Sequence, residues 1–292
     1  WPRVALAFGV AAAGVVGMSG SGVSPGSSAN ADAGLVRAVG VDDGKRGTLQ
    51  LGSTRLCGSF DPAQSFEQWC QVVLRTYSRT LMSFAGAPGQ AGLNVVPDLA
   101  VAAPKVSKDL TKWTFTLRDD VKWQTGKPVT ATDVQYGIER LFDPDNIGAV
   151  SVDTLCLFSA CSKGVPDYRG PQTSGHLASI KNTDDRSVTF TLTRPYALFD
   201  QTMALPQFAP IDRAHDVNLR DQGISYASDP SSNGPFTISV SSDRQSVNFA
   251  RNKYWTQTSD SVRTPRVKAM KWKIFDKEAE LDSAVLRGAV DV

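Results

Sequence analysis

The chain has 292 residues, with 31 Lys+Arg against 29 Asp+Glu and a formal charge of +2. Hydrophobic residues make up 41% and charged residues 21%, close to globular averages, which excludes wholesale disorder and a collagen-like chain. The length suits two lobes or one large domain, the small positive charge offers no basic stripe to nucleic acid, and no apolar run reaches the ~20 residues that span a bilayer.

At the N-terminus, Arg3, an apolar run over 4–18, Ser/Gly-rich sequence and Ala29-Asn30-Ala31 follow each other. They match the charged, apolar and small-residue regions of a secretory signal peptide, expected over 1–31 with cleavage after Ala31 or Ala33. Glycines at 9, 14, 17 and 20 argue against a core helix there, and no Cys follows the run for lipid attachment. Residues 32–46 read as a flexible linker. In an exported chain, the even set Cys57, Cys70, Cys156 and Cys161 suggests two disulfides in one of three connectivities, local pairing being the simplest. Their spacings lack Cys-x-x-Cys pairs and His176 and His215 sit apart, so no metal site is expected.

Leu49 and Leu51 alternate in a first short strand. After Asp61-Pro62, Trp69, Val73, Tyr77 and Leu81 recur every four residues as the stripe of a helix. Trp113, Phe115 and Leu117 alternate with threonines in a strand, Asp119-Asp120 turns, and Val121-Lys122-Trp123 resumes extended structure. Thr130 and Asp133 resemble a capping box at the head of a helix carrying Val134, Ile138, Leu141 and Phe142, stopped at Asp143-Pro144. Residues 143–178 read as loop. Strands follow at Val188–Leu192, Phe236–Val240, Val247–Phe249 and Met270–Ile274, the middle two forming a hairpin around 241–244. A helix over 277–287 places Leu281, Val285 and Leu286 on one side, with Gly288 beyond its end. Mixed strands and helices imply an α/β or α+β fold.

Catalytic chemistry has few candidates. There is no Gly-x-Ser-x-Gly elbow, and two isolated histidines, expected as solvated surface groups, leave little for a nucleophile–base pair. Pro128 follows Gly126-Lys127 where a phosphate loop needs Ser or Thr. The acidic pairs Asp42-Asp43, Asp119-Asp120 and Asp184-Asp185 fall in turn-like sequence. The chain therefore reads as a binder, not an enzyme, with no cofactor. Phe60, Phe66, Trp69, Tyr254 and Trp255, in loops at strand ends, are candidates to line a ligand cleft.

Ordered motifs then carry a resemblance. Gly47-Thr-Leu-Gln-Leu-Gly52 with Phe60-Asp61-Pro62, Val96-Pro-Asp-Leu-Ala100 and the long stretch from Trp113 to Val134 are similar to signatures of extracellular solute-binding proteins of peptide-importing ABC transporters. So are Asn233-Gly-Pro-Phe236, Arg251-Asn-Lys-Tyr-Trp255 and Leu286-Arg-Gly288-Ala-Val-Asp291. The resemblance implies an α/β fold of the type II periplasmic-binding-protein kind. Residues 47–90 and 175–276 would form a first, mixed-sheet lobe, 91–174 an inserted α+β domain, and 277–292 the start of a second lobe that is largely missing. It implies hinge closure on a peptide and delivery to membrane permease subunits, by a monomer at the outer face of the cytoplasmic membrane, periplasmic or extracellular. By position, Phe66, Glu67, Gln68, Trp69, Asn233, Gly234, Tyr254 and Trp255 are the ligand-binding candidates. Within the same fold the solute could instead be a metal chelate, a sugar oligomer or haem, and a secreted protein-interaction module is a further alternative.

Overall fold

A computed structural model of the protein describes residues 47–144 and 150–291; the expected signal peptide, the linker and Asp42-Asp43 lie outside them. In chain order come β1 (Thr48–Ser53), α1 (Gln68–Tyr77), β2 (Met82–Phe84), β3 (Val95–Pro97), β4 (Lys105–Val106), β5 (Lys112–Thr116) and α2 (Ala131–Glu139). After α2 come α3 (Val152–Leu155), β6 (Cys161–Ser162), β7 (Val165–Pro166), α4 (Pro171–Ser174), β8 (Ile180–Asp184), β9 (Ser187–Thr191) and α5 (Phe199–Thr202). The last elements are α6 (Arg213–Asp221), β10 (Phe236–Val240), β11 (Ser246–Arg251), β12 (Ala269–Ile274) and α7 (Glu278–Leu286).

Two four-stranded sheets carry the body. The first has the order β1-β12-β11-β10, with β1 parallel to β12 and the remaining pairs antiparallel. Alternation puts Leu51, Trp272, Val247 and Val240 in one row across it, facing Phe60, Leu74 and Tyr77. The second sheet runs β4-β5-β9-β8. Trp113 lies opposite Phe190, and Phe115 opposite Val188, over a core shared with Val134, Ile138, Phe158 and Phe199. On its other face, the hydroxyls of Thr114 and Thr189 lie 2.9 Å apart, a cross-strand pair of the kind that stabilises sheets.

β8 and β9 sit with β5 rather than with the first sheet. The expected boundary at 174/175 therefore does not separate the sheets, because the pairing of Phe190 with Trp113 carries 180–191 into the layer assigned to 91–174. Two helices also present different faces from those expected. α1 buries Cys70, Leu74 and Tyr77, leaves Trp69 and Val73 at its margin, and stops before Leu81. α7 buries Ala284, with Leu281 against Phe275 and Val290, while Val285 and Leu286 face outward. The 121–123 stretch is extended as expected, Lys122 bridging antiparallel to Pro128. The chain reverses at 124–126, where Trp123 N–H donates to Lys127 O and Gly126 N–H to Trp123 O, each at 2.8 Å. The capping box is present, Thr130 and Asp133 bonding reciprocally at the head of α2. Both disulfides are local, Cys57–Cys70 and Cys156–Cys161.

Two buried ion clusters join the layers. In one, Arg79 Nε donates to Asp98 Oδ1 at 2.8 Å, and Arg263 Nη1 lies 2.8 Å from Asp98 Oδ2 and 3.2 Å from Asp260 Oδ2. In the other, Arg140 meets Asp61 and Asp216 at 2.7 and 3.1 Å. Each matches opposite charges, as a buried charge requires.

Candidate functional site

The Asp61-Pro62 turn delivers the chain to the head of α1. Gln64 and Ser65 donate their N–H groups to Asp61 O at 3.0 and 3.1 Å, and Tyr77 Oη donates to Phe60 O. The next residues emerge as a lip. Phe66 is 68% exposed. Trp69, half-exposed, sets its ring edge-on to Trp272 at 5.3 Å, and Val72 is exposed one turn along. Gln207 Nε2 donates to Ser65 O at 3.0 Å, and the exposed Leu205 precedes that contact. Glu67 caps nothing in α1 with its side chain. Its Oε2 accepts from Gly58 N–H at 3.1 Å and lies 3.1 Å from Cys70 Sγ. Both sulfurs of that neighbourhood are joined in a disulfide, so the Cys57–Glu67–Cys70 grouping has no thiolate to offer a metal. A solvated edge of aromatic and aliphatic groups beside a backbone turn suits an apolar solute surface rather than bond-making chemistry.

The eight expected ligand residues fall into two places. Phe66, Glu67, Gln68 and Trp69 stand at one end of α1. Asn233 and Gly234 stand at the other, about 15 Å away for a ten-residue helix, where both donate N–H groups to Tyr77 O. Asn233 is buried and its Oδ1 accepts from Arg79 N–H at 2.8 Å. Asn252 Nδ2 donates to Gly234 O at 3.0 Å and so brings Tyr254 and Trp255 to this second place. The Tyr254 ring lies against Gly126, where a Cβ would come within 2.8 Å of it. Trp255 Nε1 donates to Asp260 Oδ2 at 3.1 Å. The second group therefore clasps the body together, and the first is the exposed one. Phe60, another cleft candidate, is a core residue.

Of the two histidines, His176 is exposed as expected and His215 is half-buried. His176 Nδ1 lies 3.2 Å from the buried Glu139 carboxylate, which also accepts from Leu177 N–H at 2.8 Å. His215 Nε2 is 2.7 Å from Asp229 O. Sequence reasoning missed a cavity of about 560 Å³ lined by Trp123, Lys127, Pro128, Asp133, Asp212 and Arg213, which none of the eight residues reaches. Its carboxylates are engaged in helix capping. Asp133 accepts from Thr130 and from Trp123 Nε1, and Asp212 accepts from His215 N–H. Burial pushes the Asp133 carboxyl above its ordinary value, against those hydrogen bonds. Spacing pointed to the Asp133 cap, but nothing in the sequence placed Asp212 beside it.

Comparison with known proteins adds a second line. A family model described as bacterial extracellular solute-binding proteins, family 5 Middle, matches residues 94–292. The oligopeptide-binding protein AliA of Streptococcus pneumoniae is 30% identical over 189 residues, which cover 61% of this chain and 27% of AliA. The dipeptide-binding protein DppE of Bacillus subtilis is 29% identical over 214 residues, covering 72% and 36% respectively. Among solved structures, a clavulanic acid biosynthesis oligopeptide binding protein superposes with a TM-score of 0.75 at 31% identity, covering 84% of this chain and 43% of that one. Peptide-bound OppA of Listeria monocytogenes gives 0.68 at 22% identity, with coverages of 83% and 45%. The chain thus spans a quarter to under a half of the length of the proteins it matches.

Proposed function

Since the chain belongs to the bacterial extracellular solute-binding proteins, family 5, and has their mixed α/β, type II periplasmic-binding-protein fold, we propose that it captures peptides and hands them to the permease of an ABC importer, without catalysing a reaction. The observation that carries this is the lip. Phe66 and Trp69 lie exposed at the head of a helix that a disulfide at Cys70 and the Asp61 turn hold in place. Such a preformed apolar edge favours a solute by sparing it the cost of ordering a loop. Burying a fully exposed Phe side chain is worth about 1.5–3 kcal/mol, enough for one anchor of a micromolar ligand though not for the whole affinity. On this proposal the solute lies across Phe66, Gln68 and Trp69, while Asn233, Gly234, Tyr254 and Trp255 hold the wall behind it. Export is part of the proposal, and among the described residues no helix is long and apolar enough to cross a membrane.

Thermal unfolding of the full-length chain, stripped of solute by unfolding and refolding, tests the proposal against di- to hexapeptides, with sugar oligomers and metal chelates as controls. Stabilisation by several degrees with peptides alone is the expected result, since a ligand that binds the native state raises its melting temperature. Stabilisation by a control solute alone would overturn the peptide assignment and keep the receptor. No response to any solute would sink the transport role.

A further inference from the structure

Behind the lip lies a buried side chain that is connected to it through the carboxylate of Asp61. Arg140 follows α2 and is buried. Nη1 and Nη2 donate to Asp61 Oδ1 and Oδ2 at 3.2 and 2.7 Å. Nε lies 3.1 Å from Asp216 Oδ2 on α6, and Cζ stands 5.2 Å from the centre of the Tyr226 ring. Asp216 in turn accepts from Tyr136 Oη at 2.6 Å and pairs with Arg220 at 3.1 Å. Arg220, a third exposed, also lies 3.9 Å from Asp143, so the buried Arg140 is matched by the carboxylates of Asp61 and Asp216.

Asp61 is the node of the turn that launches the lip. Oδ1 accepts from Ala63 N–H at 2.9 Å, its backbone O accepts from Gln64 and Ser65, and its own N–H donates to Ser59 Oγ at 3.0 Å. The carboxylate therefore fixes the turn from inside, and both of its oxygens are held by one planar fork. An ammonium is a point donor and cannot reproduce that two-point grip, which sets orientation as well as attraction. The turn and its holder are 79 residues apart in sequence, so no local preference substitutes for the contact.

We infer that Arg140 is a positioning residue: by gripping Asp61 at two points, it sets the place and orientation of the Phe66–Trp69 lip. The inference rests on the peptide-receptor proposal for its functional meaning, and on geometry alone for the positioning itself. The other buried cluster, around Arg79 and Asp260, grips the opposite end of α1 and has no such line to the lip.

The test uses the full-length chain with R140K, which keeps the charge and loses the fork, and Phe115→Leu as a control that loosens the second sheet. Hydrogen exchange at the Ala63, Gln64 and Ser65 amides is measured with the dissociation constant of the peptide that stabilises the wild type most, well below each melting point. For R140K, exchange at those amides rises at least tenfold and peptide affinity falls at least tenfold, while β5 and β9 amides keep wild-type rates. Phe115→Leu lowers the melting temperature and moves neither readout. If R140K does not fold, D61N/R140Q, which removes the carboxylate's charge with its partner's, carries the same comparison. Wild-type exchange in the turn, or a rise spread evenly through both sheets, overturns the inference. If no peptide binds even the wild type, the receptor proposal fails, and the exchange measurement alone decides the positioning.

Discussion

Tyr77 O receives two N–H groups at once, from Asn233 at 3.1 Å and from Gly234 at 2.9 Å. The last carbonyls of a helix lack partners within it, and here the segment leading into β10 supplies them for α1. The contact is so close that a Cβ on Gly234 would lie 2.8 Å from the Tyr77 carbonyl carbon. Gly234→Ala is expected to cost about 2 kcal/mol through forced separation of two backbones, read as a lower urea midpoint at unchanged slope. A wild-type midpoint would mean that the two segments can part freely.

The two disulfides are expected to differ in worth. Cys57–Cys70 spans 13 residues and Cys156–Cys161 only 5. A longer closed loop restricts the unfolded chain more, so replacing the first pair by serines should cost about 3 kcal/mol and the second about 2. Paired denaturation curves check the order; the reverse order would show that α1 needs no tether.

Acid should weaken the Arg79–Asp98–Asp260–Arg263 cluster. Burial acts against the Asp260 carboxylate, but Arg263 and then Arg79 hold its carboxyl below the ordinary value. A folded value below the unfolded one, about 3.9, means that this stabilisation is complete above the unfolded value and is lost as pH falls through the folded one. Asp260→Asn, which leaves buried guanidinium short of a partner, should cost about 3 kcal/mol at pH 7. The gap to wild type should close as pH drops below 4. A gap constant from pH 7 to pH 2 would place the acid sensitivity elsewhere.

Phe66 and Trp69 should separate binding from stability. Phe66 is 68% exposed, so Phe66→Ala is expected to leave unfolding within about 0.5 kcal/mol of wild type while weakening the solute about tenfold. Trp69→Ala gives up the edge-on contact with Trp272 as well, and should lose about 1 kcal/mol of stability. Calorimetric titration beside a melt distinguishes the two. Unchanged affinity in both variants would remove the lip from the binding surface.

What the sequence made visible follows from physical contrast. β5, β9, β10, β11 and β12 alternate strongly because one face of each meets a core, and the Thr130–Asp133 box is a local signature. β8 escaped notice because only Ile180 of its five residues is buried, which erases the period of two. α6 escaped because its buried residues are Asp216 and Leu219, and a helix that turns an aspartate inward shows no apolar stripe. In α1 the four-residue stripe from Trp69 was regular but rotated, because the disulfide draws Cys70 rather than Trp69 inward. The proposed Phe66–Trp69 lip was recognisable as a candidate from its place after the Asp-Pro turn. Arg140 was not, since charged residues default to the surface and its partner Asp61 is brought to it only by the completed fold.

The parallel pairing of β1 with β12 also has a temporal side. Ser53 and Trp272, which share a hydrogen bond, are 219 residues apart, and Gln50 and Asp291 are 241 apart. At ribosomal speeds of about 5–20 residues per second, the first strand waits roughly ten to forty seconds for its neighbour. Until then Leu49 and Leu51 have no partner strand, and the first sheet cannot close. Contacts of such long range also slow folding once the chain is whole. On the export proposed above, that delay would keep a newly made chain threadable through a secretion channel, with β12 as the latch for β1.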